Sequence, residues 1–231
     1  LEALWLRQRT EHWARDLVTR TREGALQPAP DEALYAIAFH RDTEDRLLTT
    51  EAAGVELLNV LRPIVAIANY VVHLALALHR NPAWRLRVRA QPPAARALAQ
   101  EVRRMAPFFP FIGGIAQVPF HWDGSRFPAG QWVLLDLYGT DRDPHLWAHP
   151  DSFIPERFED FEDDGFTLVP QGAGEGATGH RCPGEGLTLE AMVRAARRLA
   201  TADLEVPPQD LSVDLGRMPA LPRDGFIVRL A

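Results

Sequence analysis

Lysine is absent from this sequence. All 25 basic residues are arginine, and 31 acids outweigh them to leave a formal net charge of −6. Nucleic-acid binding relies on a basic face, so the balance points away from that class. Cysteine is nearly absent: Cys182 is the only one. An intrachain disulfide is therefore excluded, and a reducing, cytoplasmic setting is the default expectation. The opening stretch LEALWLRQRTEHWARDL lacks the apolar core of a secretory signal. Long apolar runs are missing too. Ile64 to Leu78 is interrupted by Asn69 and His73 and covers only about fifteen residues, against the roughly twenty needed to cross a bilayer. No membrane span is expected. There are no internal repeats and no low-complexity linker. What remains is a composition typical of a soluble globular chain, 46% hydrophobic and 24% charged, with 231 residues to build one sizeable domain.

Helical periodicity dominates the first half. Leu4, Leu6, Trp13, Leu17 and Val18 recur at helical spacing up to about Arg22. GALQPAPDEA ends that helix, Ala33 to His40 is a short helical stretch, and HRDTEDR is a polar loop. A long helix is predicted from about Thr50 to Arg80, capped by Thr49 or Thr50 and stopped by Asn81-Pro82. It is far longer than the usual helix and apolar for most of its course, so it should cross the centre of a domain. Further helices are predicted near Ala83–Val88, Pro93–Met105 and Leu187–Ala202. PFFPFIGGIAQVPF, RFPAGQWVLLDLYGTDRDP and the tail from Val206 read as short strands and turns. The fold class is mainly α with small β-sheets.

The lone thiol sits in ATGHRCPGEG, just before a predicted helix. Pro183 suits the first helical position, where its missing N–H is no loss. Free amides near Gly184 and Glu185, with the helix dipole, favour an anion at the sulfur. Gly179 and Gly184 leave room for a large flat group, and His180 and Arg181 place hydrogen-bonding, positive groups beside it. The loop alone leaves three readings open: a buried structural cysteine, a nucleophile paired with His180, or a single thiolate ligand of a metal. The glycines suggest two others, and neither fits. GEGATGH has P-loop spacing, but His180 stands where the lysine belongs. GAGEGA matches a relaxed dinucleotide pattern, yet no βαβ unit surrounds it.

Three motifs in order decide between the readings. Glu101 and Arg104 lie at i, i+3 in EVRR, PERF spans Pro155 to Phe158, and GHRCPG comes last. Together they resemble the cytochrome P450 superfamily. The resemblance implies that Glu101, Arg104 and Arg157 form a buried ion network bracing the haem loop. It implies that Cys182 is the axial ligand of haem b, with His180, Arg181 and Gly184 contributing to the cofactor site. The loop departs from the common family pattern: Glu175 takes the usual Phe position and Thr178 the usual Gly.

The long helix narrows the resemblance. NVLRPIVAIANY has no acid and no alcohol, where an ordinary P450 monooxygenase carries an acid–alcohol pair to relay protons to dioxygen. It has Arg62-Pro63 instead. Pro63 should kink or loosen the helix. Arg62, set in an apolar wall, calls for an anion, and a fatty-acid carboxylate would serve. With VLLDLYGTDRDPHLWAHPDSFIPERF, EVRRMAPFFPF and GHRCPGEGLTLE, this is similar to the bacterial fatty-acid peroxygenases and decarboxylases. The resemblance implies that Arg62 clamps the substrate and that hydrogen peroxide is the oxidant, with no reductase. It also implies that residues 1–231 are the C-terminal part of one P450 domain whose N-terminal part is absent. Two other functions stand beside it: an oxygen-dependent P450 monooxygenase, and a truncated, haem-free remnant without activity.

Overall fold

The computed structural model describes residues 2–230. They form two compact units that divide at Ala66 and Ile67. In the first, α1 (Glu2–Arg22), α2 (Ala33–Ala38) and the opening turns of α3 (Thr50–Arg80) enclose a core of Ala14, Val18, Ala38, Ala53 and Leu57. Three of those five are alanine, which lets helices approach closely. Gly54 shows how closely: a Cβ there would sit 2.9 Å from the Arg15 side chain. Arg22 ties the unit together by donating to the carbonyls of Ala38 at 2.7 Å and Leu48 at 2.9 Å. Thr49 caps α3, its hydroxyl oxygen accepting the Ala52 amide at 3.1 Å.

Pro63 lies inside α3. The proline removes one rung, because it offers no N–H to the Asn59 carbonyl, but it does not end the helix. Among the described residues α3 is the one helix long and apolar enough to cross a membrane by length and composition. Its later turns are packed on protein. His73, Leu74, Leu76 and Leu78 are buried, and His73 Nε2–H donates to the Ala220 carbonyl at 2.9 Å.

The second unit continues with α4 (Pro82–Ala90) and α5 (Ala94–Met105). β1 (Phe111–Ile115) pairs antiparallel with β4 (Trp132–Asp136), with Phe111 opposite Asp136 and Ile115 opposite Trp132. Between them β2 (Phe120–Trp122) and β3 (Ser125–Phe127) make a hairpin turned by Asp123 and Gly124, both at positive φ. α6 (Leu137–Thr140) follows where the sequence predicts only a turn. Asp136 accounts for the difference: its carboxylate accepts the Gly139 amide at 2.7 Å and nucleates one helical turn. A 3₁₀ turn at Pro155–Phe158 leads to the glycine loop and α7 (Glu185–Thr201), and β5 (Leu204–Glu205) pairs with β6 (Arg229–Leu230).

α5 is central to this unit. It packs against both α7 and the 3₁₀ turn. Leu98, Met192, Ala196 and Leu168 fill the interior with no exposed surface. Leu98→Ala should destabilise the chain by about 3 kcal/mol, the usual scale for a cavity of that size. Chemical denaturation of both proteins measures it, and a loss under about 1 kcal/mol would show that the site collapses to fill the gap.

Candidate functional site

Cys182 lies in the turn that opens α7. Its carbonyl accepts the Glu185 amide at 3.1 Å, so Pro183 and Gly184 form the corners of a turn and the helix starts at Glu185. This corrects two expectations. Pro183 is outside the helix rather than at its first position, and the Glu185 amide is used by the chain's own carbonyl. The reason is local: an i→i+3 bond satisfies one of the donors left unpaired at a helix start.

The loop closes on itself through a second bond, from the Cys182 amide to the Gln171 carbonyl at 2.9 Å. Gly172 permits that return. Its φ is +98°, and a Cβ there would collide with the His180 carbonyl oxygen. The Cys182 thiol is half-buried. A Cβ at Gly184 would sit 3.7 Å from the sulfur, so the glycine keeps that side open. His180 is exposed. Arg181 is not a spare cation beside the thiol, as its position in the sequence suggested. Its guanidinium is paired with Glu185 and Asp163, and those bonds raise its pKa above the ordinary arginine value.

α5 holds the loop from behind. Arg103, 1% exposed, donates from Nε to Gln171 at 3.1 Å and reaches Gln100 and Glu185 with its other two nitrogens. Gln171 donates on to the Thr188 hydroxyl at 3.4 Å, and Thr188 to the Gly184 carbonyl at 3.1 Å. The sequence reading missed Arg103, although a signal was present. Ala95, Ala99 and Arg103 follow in four-residue steps, so the arginine occupies an apolar-face position of the helix.

Glu101, Arg104 and Arg157, the residues that the resemblance implies form a network, lie together. Arg104 grips Glu101 with two parallel bonds of 2.8 Å and donates to the carbonyls of Asp141 and Pro150 at 2.7 and 2.8 Å. Arg157 Nε lies 3.4 Å from the same carboxylate, which also accepts the Ile154 amide at 2.8 Å. The Trp147 ring lies 5.2 Å from the Arg104 guanidinium and 5.8 Å from that of Arg157. The direct partners of this triad lie between residues 141 and 157, not in the Cys182 loop. Its link to the loop is Asp141, whose carboxylate accepts the Val169 amide at 2.9 Å.

Arg62 and Pro63 lie on α3 within the first unit, and both are exposed. Their neighbours Ile64 and Val65 are 64% and 71% exposed, so the cation stands on an apolar stretch open to solvent.

Asp141 yields a test of the second unit. Burial pushes its carboxyl up to about 7, against the opposing pull of the Val169 amide and Arg104. An unfolded aspartate titrates near about 3.9. The folded state therefore holds this proton more tightly, and its contribution to stability falls as pH rises from about 4 to about 7. Asp141→Asn keeps an acceptor for Val169 and removes the titration. The variant should melt higher than the parent at pH 8 and show a flatter decline from pH 5 to pH 8. Parallel pH profiles for the two proteins would contradict the assignment.

The donor set at Cys182 narrows what it can hold. Among the described residues no group of three or more His, Cys, Asp or Glu side chains is placed to bind a metal ion. A lone sulfur cannot complete a tetrahedral site. It fits an iron that arrives with its equatorial ligands already in place, as in haem.

Comparison with known proteins points the same way. The family model described as Cytochrome P450 matches residues 74–214. Cytochrome P450SP alpha (CYP152B1), solved in complex with (R)-ibuprofen, superposes with a TM-score of 0.89 at 46% identity, over 96% of this chain and 55% of that one. A variant of cytochrome P450 OleT in complex with arachidonic acid gives 0.88 at 38% identity, over 97% and 54%. Rhazimal synthase of Alstonia scholaris is 37% identical over 90 residues, which are 37% of this chain and 17% of the relative. Cytochrome P450 71D18 of Mentha gracilis is 30% identical over 133 residues, 54% of this chain and 26% of the relative. The chain thus spans about half the length of these solved relatives and about a quarter or less of these curated ones. The buried Glu101–Arg104–Arg157 triad, the lone Cys182 ahead of α7 and a family match across most of the chain lead to one conclusion: the chain belongs to the cytochrome P450 family.

Proposed function

We propose that this chain is the haem-thiolate part of a peroxygenase that hydroxylates fatty acids at C2 or C3, or decarboxylates them, with hydrogen peroxide as oxidant and no reductase. The observation that carries the reading is Arg62-Pro63 in α3. Between Asn59 and Tyr70 this helix offers a guanidinium and no Asp, Glu, Ser or Thr. Dioxygen must be supplied with both electrons and protons before its bond can break. Peroxide already carries them, so a helix without an acid–alcohol relay suits it. The similarity to P450SP alpha and the fatty acid in the OleT complex support the same class of substrate.

Cys182 is the residue that would hold the haem iron, kept accessible by Gly184 and held in register by the Gln171 carbonyl. Haem, when bound there, supplies peroxide activation and oxygen transfer. The chain's own residues orient the substrate. Arg62 has a planar fork that can take a carboxylate through two charge-assisted bonds. That fixes the acid end of the chain, and with it the reach of C2 and C3. The clamped carboxylate is also a base, and it moves the peroxide proton that a side-chain acid would otherwise carry. The balance closes in either outcome. Acid plus peroxide gives hydroxy acid plus water, or terminal alkene plus carbon dioxide plus two waters.

Two variants separate the parts. Cys182→Ser should abolish the red-shifted Soret band of the reduced, carbon-monoxide-bound protein. Arg62→Ala should keep that band and lose fatty-acid turnover with peroxide by about a hundred-fold, the scale of a charge-assisted pair worth about 3 kcal/mol. Normal turnover by Arg62→Ala would remove the carboxylate clamp. Turnover with NADPH and a reductase but not with peroxide would replace the reading with an oxygen-dependent monooxygenase. Absence of haem uptake by the parent chain would reject it for this polypeptide.

A further inference from the structure

Glu185 is the first residue of α7, three positions after the proposed iron ligand. Its main chain and its side chain are both committed. The amide closes the Cys182 turn at 3.1 Å. The carboxylate is shared between two guanidiniums: Arg103 bonds one oxygen, while Arg181 bonds the other and also reaches the first at 3.1 Å. Arg181 continues to Asp163. Charges therefore alternate along a chain that starts almost fully buried at Arg103 and ends at Asp163, with side chains 1%, 13%, 16% and 32% exposed in order. The two bonds from Arg103 to Gln171 and Glu185 reach both sides of the glycine loop. Gln171 is the residue whose carbonyl takes the Cys182 amide.

We propose that Glu185, held between Arg103 and Arg181, is the positioning residue that fixes the Cys182 turn and so the direction in which its sulfur faces. The proposal rests on the reading of Cys182 as the haem ligand, but the fixing of the turn can be tested without haem. Removing the carboxylate leaves two arginines facing one another, one of them buried, and like charges at that range separate. Arg181 lies next to Cys182 in the loop itself, so its displacement would carry the turn with it.

The test uses the full 231-residue chain, in which Cys182 is the single thiol. N-ethylmaleimide labelling at fixed pH, without haem, reads the turn directly. Glu185→Gln should label faster than the parent by about five-fold or more, because local opening exposes the sulfur. Glu185→Asp keeps the charge and should return most of the way to the parental rate. Asp163→Asn, at the solvent end of the chain, should change it little. Far-ultraviolet circular dichroism checks that all four fold alike. Equal labelling of folded parent and Glu185→Gln overturns the proposal. If Glu185→Gln fails to fold, Arg181→Gln, which breaks the same contact from the loop side, takes its place: faster labelling of the folded variant supports the proposal, and labelling at the parental rate overturns it. The haem-loaded proteins give the second readout, the iron–sulfur stretching frequency. A shift in Glu185→Gln that Glu185→Asp reverses supports positioning. Faster labelling with no thiolate signature in any protein, the parent included, keeps the positioning role and rejects the haem reading instead.

Discussion

Two neighbouring arginines in α5 have almost no contact with water, and each must find its partners in a different segment of the chain, one of which is the Cys182 loop. A desolvated guanidinium costs several kcal/mol unless its partners are well placed. Adjacent helical residues point about 100° apart, so Arg103 and Arg104 cannot share one set of partners. Arg104 turns to Glu101 and to the carbonyls of residues 141 to 152. Arg103 turns to Gln171 and Glu185, and hence to the glycine loop. One helix therefore anchors two largely irregular segments.

That anchoring explains why the loop can be so rich in glycine. Glycine supplies the conformations, as at Gly172, but at the cost of extra freedom in the unfolded chain. The freedom is removed at the ends of the loop by Gln171 and Glu185, both of them partners of Arg103. Within those ends the sulfur needs only a turn, an amide bond and an open side at Gly184. The result is a single sulfur donor with no group of other His, Cys, Asp or Glu side chains among the described residues to complete a metal shell. Such a site suits a cofactor that brings its own remaining ligands.

Much of the fold was legible without coordinates. The long helix was placed from a cap at Thr49 or Thr50 to Arg80, and the helix that follows Cys182 was found within two residues of its start. Those signals are local, since caps, periodicity and proline act within a turn or two of the chain. The triad of Glu101, Arg104 and Arg157 was legible by resemblance alone, because a glutamate three residues before an arginine looks the same on a solvated surface. Pro183 was misplaced by two residues for a related reason: a turn and a first helical position favour the same residue. The short helix at Leu137–Thr140 was read as a turn, since one turn of helix leaves no periodicity to detect.

Residue type and spacing by themselves determined a helix-rich chain, a solitary thiol ahead of a helix, and a cation with a proline in the middle of the longest apolar helix. Each of these is written within a few neighbouring residues. Only the tertiary structure decided that Arg103 is buried, that its counter-charge is Glu185, 82 residues away, and that Arg181 is already paired. A charged side chain carries no local mark of burial. Its partner is chosen by which segments pack together, and that choice belongs to the folded chain as a whole.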